Sequence, residues 1–209
     1  MKALEQPRAV VIGGSLGGLF TATTLRAAGW RVDVFETSTH QLDSRGGGIV
    51  LQPDVLDALQ FAGVALPDPP GVASGERIYL DRDDRRVEQL YMPQMQTSWS
   101  LLYRAMKEAL PAESQHAGET FTDFSMNGEQ IVAQFESGRS EQADLLIGAD
   151  GIRSTLRRRL LPEIVPGPMR AMSHGAGSSR NRTCRCRPRT CCASASRSSR
   201  AKHTRRSPI

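Results

Sequence analysis

Cysteine is missing from the first 166 of the 209 residues, and acid is missing from the last 43. Residues 1–166 hold all 22 Asp and Glu against 16 Lys and Arg, a net charge of −6. Residues 167–209 hold all four cysteines and a net charge of +11. The overall charge of +5 therefore hides two different compositions, which are read separately. A cysteine-free body is not a disulfide-stapled secreted fold. No apolar run approaches the ~18 residues that span a bilayer. The opening MKALEQPRAVVIGG enters a strand pattern with no apolar stretch before it, as a secretory leader would need. A cytoplasmic protein without membrane attachment is the expectation. Histidines 40, 116, 174 and 203 form no evident cluster, and no Ser/His/Asp set stands out. No residue is singled out as a metal ligand or as a catalytic nucleophile or base. Internal repeats are absent too.

What is present is enough for a core, at 39% hydrophobic and 23% charged residues. With one domain per ~100–200 residues, the length implies one domain or slightly more. The reading places a domain at 1–166 and a basic tail at 167–209.

The body opens on a complete βαβ unit. Ala9-Val10-Val11-Ile12 reads as a buried parallel strand. Gly13-Gly14-Ser15-Leu16-Gly17-Gly18 follows, and a helix runs through Ala28, with Leu16, Leu19, Phe20 and Leu25 on one stripe. Gly29 stands where a C-terminal cap belongs. Val32, Val34 and Phe35 make a second strand ending on Glu36. Further along, Pro53 opens a helix through Leu59. Residues 76–93 suggest a strand pair turning at Arg82–Arg85. A helix from Leu101 to Leu110 carries Arg104. Phe121–Phe135 reads as a hairpin about Asn127-Gly128, and Ala143–Gly148 as a buried strand leading to Asp150-Gly151 and a basic helix from Ile152.

Strand, glycine loop and helix N-terminus together form an anion site, because free N–H groups and the helix dipole face a phosphate. In the spacing G-x-G-x-x-G, Gly13 is first, Ser15 stands in second place and Gly18 is third. Serine departs from the pattern where the backbone approaches the pyrophosphate, and its small size predicts tolerance. Glu36, 18 residues after Gly18, supplies the acid that accepts hydrogen bonds from a ribose. Taken singly these features have plainer readings: a tight turn with a solvated Glu36, and Asp150 as a helix cap. Arg153, Arg157, Arg158 and Arg159 read as a solvated basic face.

Residues 9–36 and the run Gly148-Ala149-Asp150-Gly151-Ile152-Arg153-Ser154-Thr155-Leu156-Arg157 resemble the FAD-dependent aromatic hydroxylases, single-component flavoprotein monooxygenases. The Gly-Gly-Ser loop and Arg45-Gly46-Gly47-Gly48-Ile49-Val50-Leu51-Gln52-Pro53 are most similar to the 2,6-dihydroxypyridine hydroxylase branch. The resemblance covers about residues 8–166. It implies an α/β fold: a Rossmann-like FAD/NAD(P)-binding domain, incomplete, with residues 76–93 as the first strands of a substrate domain. It implies that Gly13, Ser15 and Gly18 hold the FAD pyrophosphate and Glu36 the adenosine ribose. Arg45, Arg104, Asp150 and Gly151 would also meet the cofactor; for the two arginines the plainer readings are a surface side chain and a helix-face side chain. The implied chemistry is the cofactor's: NAD(P)H reduces FAD, and reduced flavin with O₂ inserts one oxygen into an electron-rich ring. The implied partner is a small aromatic or N-heteroaromatic substrate.

A later Gly-Asp motif of that family is absent, so the chain reads as about its first half, truncated and impaired in catalysis. The tail cannot bury a core and is expected to be disordered. Its Cys184, Cys186, Cys191 and Cys192 do not show the usual paired spacing of zinc ligands. Back-translated one base earlier, with CGG for Arg170, Met169–Gly177 permits Tyr-Ala-Gly-Tyr-Val-Ala-Trp-Arg-Gly. That segment in the resembled family follows a stretch like Leu160–Pro166. An out-of-frame translation is therefore the expectation for 167–209. The alternatives are a non-catalytic nucleotide-binding module and a protein that uses its basic tail for nucleic acid; the acidic body and the recoverable second frame weigh against the latter.

Overall fold

The computed structural model describes residues 6–40, 42 and 47–163. Arg45 and the whole of the 167–209 tail lie outside these residues. The chain divides into two compact units, the second built, among the described residues, from 73–94.

The first unit is organised on a parallel sheet. β1 (Arg8–Ile12) sits between β2 (Arg31–Glu36) and β10 (Leu145–Gly148), and β6 (Gln115–Ala117) joins β2 on its outer side. All three pairings are parallel, with Val10 opposite Asp33 and Leu146. Both faces of β1 are covered, so its side chains alternate between two cores rather than between core and water. Ala9 and Val11 enter one apolar cluster with Leu19, Ala22, Val32 and Val34; Val10 and Ile12 enter another with Phe35, Phe121 and Phe135. The first cluster is roofed by the helices α1 (Leu16–Ala27), α2 (Pro53–Phe61) and α3 (Trp99–Glu108). The second is closed by an antiparallel sheet of β7 (Phe121–Asn127), β8 (Gln130–Phe135) and β9 (Ser140–Ala143), together with α4 (Thr155–Leu160).

The helix ends follow from glycine. After α1, Gly29 at φ +90° donates to Arg26 O and Trp30 N donates to Leu25 O, so two end carbonyls find donors. After α2, Gly63 at φ +68° and Val64 N repeat the same pair of bonds to Gln60 O and Leu59 O.

Several elements differ from the sequence expectation, among them α3, which runs Trp99–Glu108 rather than Leu101–Leu110. The strand expected over Ala143–Gly148 breaks at Asp144, whose carboxylate accepts from Arg8 N at 2.8 Å while Asp144 N donates to Arg8 O at 2.9 Å. This exchange passes the chain from the antiparallel sheet to the parallel one. The basic helix begins at Thr155 rather than Ile152, because Gly151 turns at φ +76° and Ser154 caps the helix through Arg157 N at 2.9 Å. β6 was not anticipated; its Gln-His-Ala sequence has no apolar pattern, and a partner strand alone makes it a strand. The expected hairpin at 121–135 forms with Asn127 opposite Gln130, leaving Gly128 and Glu129 as its loop.

In the second unit β4 (Val72–Leu80) and β5 (Arg86–Ser98) are hydrogen-bonded neighbours. Asp81 ties their turn, its Oδ1 accepting from Asp83 N at 2.8 Å and Arg85 N at 2.9 Å. The expected strand pair is therefore present, longer than 76–93. In the first unit, the end of β5 pairs antiparallel with β3 (Gly48–Leu51), Leu51 opposite Met95.

Candidate functional site

The site is assembled at the carboxyl ends of β1, β2 and β10, where an open α/β sheet places its ligands. β1 leaves the sheet at Gly13, which adopts φ +106° and donates its N–H to Phe35 O at 2.8 Å. A side chain there would strike the Ala149 carbonyl, and one at Gly18 would strike the carbonyl of Gly13 itself. Gly13 and Gly18 are thus glycines because backbone meets backbone, not because the loop is loose. Ser15, in the place of the second glycine, is extended at φ −82°, ψ −175°, a conformation open to any residue. The expected tolerance of serine has this physical basis. Ser15 is the N-cap of α1, yet its hydroxyl makes no capping bond, and the first turn holds no acid. The helix start therefore offers N–H groups and a positive dipole end to an anion.

Glu36 closes the loop from the neighbouring strand. Its Oε2 accepts from Gly14 N at 2.7 Å and its Oε1 from Ser38 N at 2.9 Å. An ionised carboxylate has about four acceptor positions, so two backbone donors leave capacity for ribose hydroxyls. Asp150, after β10, accepts from Thr155 N at 2.6 Å and Leu156 N at 3.3 Å through Oδ2. The plainer reading of Asp150 as a brace for the following helix is thus met by one oxygen. The other, Oδ1, is buried without a hydrogen-bond partner.

Two cavities flank Glu36. One, of about 480 Å³, is lined by Gly13, Ser15, Glu36, Leu42, Trp99, Asp150 and Gly151. The other, of about 550 Å³, is lined by Gly14, Glu36, Tyr103, Arg104, Lys107, Gln115 and His116 among others. Both fall within the ~300–1,000 Å³ of small-molecule sites. The fold thus gathers Gly13, Ser15, Glu36, Asp150 and Gly151 at one cleft and brings Arg104 to its neighbour, while Gly18 acts from below by packing. Trp99, Tyr103, Ser38 and the β6 residues were missed. Tyr103 carried a signal, its place on the expected helix one residue before Arg104; Trp99, two residues before that helix was expected to start, and β6 carried none.

Behind the cleft a charged cluster links the sheets. Arg8 donates to Asp33 Oδ2 through Nη2 at 2.8 Å and Nε at 3.0 Å and to Glu141 Oε2 at 2.5 Å, while His116 Nε2 lies 3.2 Å from Asp33 Oδ1. Burial acts to raise the Asp33 and Glu141 carboxyls. The hydrogen bonds and charge of Arg8, joined by His116 at Asp33 and by Arg139 at Glu141, outweigh it and hold both below the ordinary carboxylate range. Arg8 is held above its usual value, since the two carboxylates more than offset its own burial.

The FAD binding domain family matches residues 7–190, past the point where the composition changes. The chain belongs to that family. The 2,6-dihydroxypyridine 3-monooxygenase of Paenarthrobacter nicotinovorans is 36% identical over 155 residues, covering 74% of this chain and 39% of that protein. Among solved structures, 2,6-dihydroxypyridine-3-hydroxylase from Arthrobacter nicotinovorans shares 35% identity with a TM-score of 0.68, over 77% of this chain and 41% of that one. Klebsiella pneumoniae HpxO, complexed with FAD and uric acid, shares 26% identity with a TM-score of 0.61, over 73% and 41%. The chain thus spans about two fifths of these relatives. The resemblance drawn from the two motifs, the α/β fold and FAD as cofactor are borne out. The residues present also fit the FAD-binding domain by their own geometry: a glycine cradle that side chains would fill, an uncapped helix start, a carboxylate with acceptor capacity to spare, and an orphaned Asp150 oxygen at the cleft. Among the described residues no cluster of metal-ligating side chains occurs, and no helix is long and apolar enough to cross a membrane.

Proposed function

We propose that this chain serves a flavin-dependent monooxygenase that hydroxylates a small aromatic or N-heteroaromatic substrate with NAD(P)H and O₂. The observation that carries the reading is the joining of Gly13, Ser15, Glu36 and Asp150 around one cleft, in a chain 36% identical to a dihydroxypyridine monooxygenase. FAD, when bound, supplies the redox chemistry and the activation of oxygen. The chain's own residues bind and orient it. Ser15 and the first N–H groups of α1 would take the pyrophosphate. Glu36 would accept from the adenosine ribose while keeping the loop closed through Gly14 and Ser38. Gly13 and Gly18 let the loop lie close to the ligand. Asp150 and Gly151 would line the flavin side, and Arg104, which shares the neighbouring cavity with Glu36, the nucleoside side. Arg45 belongs to the proposal through the sequence resemblance alone. In this reading residues 76–93 are the first strands of a substrate-bearing region.

The test is uptake of FAD by the purified chain, followed by equilibrium dialysis and flavin absorbance. Stoichiometric binding is expected, with ADP competing. A folded chain that takes up no FAD overturns the reading. With FAD bound, oxidation of NADH or NADPH stimulated by a hydroxypyridine would mark the substrate class.

A further inference from the structure

We propose that Trp99 is a cofactor-contact residue, the aromatic wall on which the ring-bearing half of FAD seats; the inference rests on the flavin reading above. The order of the ligand follows from the site. The ribose belongs at Glu36 and the pyrophosphate at the start of α1, so the flavin half extends from the loop into the 480 Å³ cleft, past Asp150 and Gly151. Among the described residues Trp99 is the one aromatic residue lining that cleft. It is half-buried, so its ring is neither lost in the core nor free in solvent.

Its position is fixed from three sides. Trp99 is the first residue of α3, and its N–H donates to Gly47 O at 3.1 Å. Ser98 caps the helix start through Leu101 N at 3.1 Å. The indole stacks on Tyr103 with ring centroids 4.8 Å apart and planes 14° from parallel. Tyr103 is itself 4% exposed and has Lys107 Nζ 5.6 Å from its ring centroid. The column Trp99–Tyr103–Lys107 runs along one face of α3, with Trp99 and Tyr103 lining different cavities. A flat ring held in one orientation loses little freedom when another ring stacks on it. Besides small residues and the carboxylates of Glu36 and Asp150, the wall holds the aliphatic Ile12 and Leu42, so the indole is its flat surface suited to an aromatic heterocycle.

The experiment compares wild type with Trp99→Leu and Trp99→Phe by titration with FAD and, separately, with ADP. Trp99→Leu should weaken FAD binding about tenfold, the scale of one lost aromatic contact. It should leave ADP affinity unchanged, because ADP lacks the flavin half. Emission of the bound flavin should rise, since an indole in contact quenches it. Trp99→Phe should restore FAD affinity to within about threefold. The wall is overturned if Trp99→Leu binds FAD as wild type does with unchanged emission, or if FAD and ADP affinities fall alike, the mark of a purely structural role. Wild type failing to bind FAD would overturn the flavin reading itself, and this inference with it; equal binding by all three overturns only the wall.

Discussion

Glu36 shows how one side chain can brace a loop and still keep acceptor capacity for the ribose proposed above. It holds Gly14 N and Ser38 N at once, so this one side chain sets the shape of the loop. Glu36→Ala removes two charge-assisted bonds from the loop and, in the proposed binding mode, the acceptor from the ribose. Hydrogen bonds to charged groups contribute ~1.5–3 kcal/mol each. FAD affinity should fall at least about tenfold, and calorimetric titration would measure it; unchanged affinity would show that the ribose lies elsewhere. Most of the site was legible at this scale. Gly13, Gly18, Glu36 and Asp150 are constrained by their own backbone and immediate neighbours, which a motif records. Trp99 was not, because a tryptophan at a helix start reads equally as core until a cleft is seen beside it.

Between elements, the cluster of Arg8 on β1, Asp33 on β2, His116 on β6 and Glu141 on β9 ties the parallel sheet to the antiparallel one. Asp33 and Glu141 have ordinary values of 3.8 and 4.5 and lie below them in the folded chain. Each therefore adds stability that is complete above its ordinary value and is lost as pH falls through the lower folded one. Arg8, held above its usual value, stays charged throughout this range. Asp33→Asn should lower the urea midpoint at pH 7, by roughly 1–3 kcal/mol of stability. The gap from wild type should narrow as pH drops below about 4. A gap constant from pH 7 to pH 3 would show that the charge of Asp33 does not matter. Such a cluster was invisible in the sequence, since its members lie up to 133 residues apart.

For the whole molecule, the composition break after residue 166 and the acidic body before it bear on what the gene encodes. Sequencing the coding DNA across codons 160–180 should find a base lost or gained, with the restored frame running through Trp-Arg-Gly. An unaltered frame would make the basic tail a genuine part of the protein. The sequence by itself determined the βαβ unit, its glycine loop and the acid at its end, because strand, helix and cap preferences there act over a few residues. It also determined the hairpins at 76–93 and 121–135, whose partners are adjacent in the chain. The tertiary structure alone decided that β6 is a strand, that β9 and β10 part at Asp144, and that Trp99 meets Asp150 across a cleft. Those outcomes depend on contacts between distant segments, and no local preference encodes them.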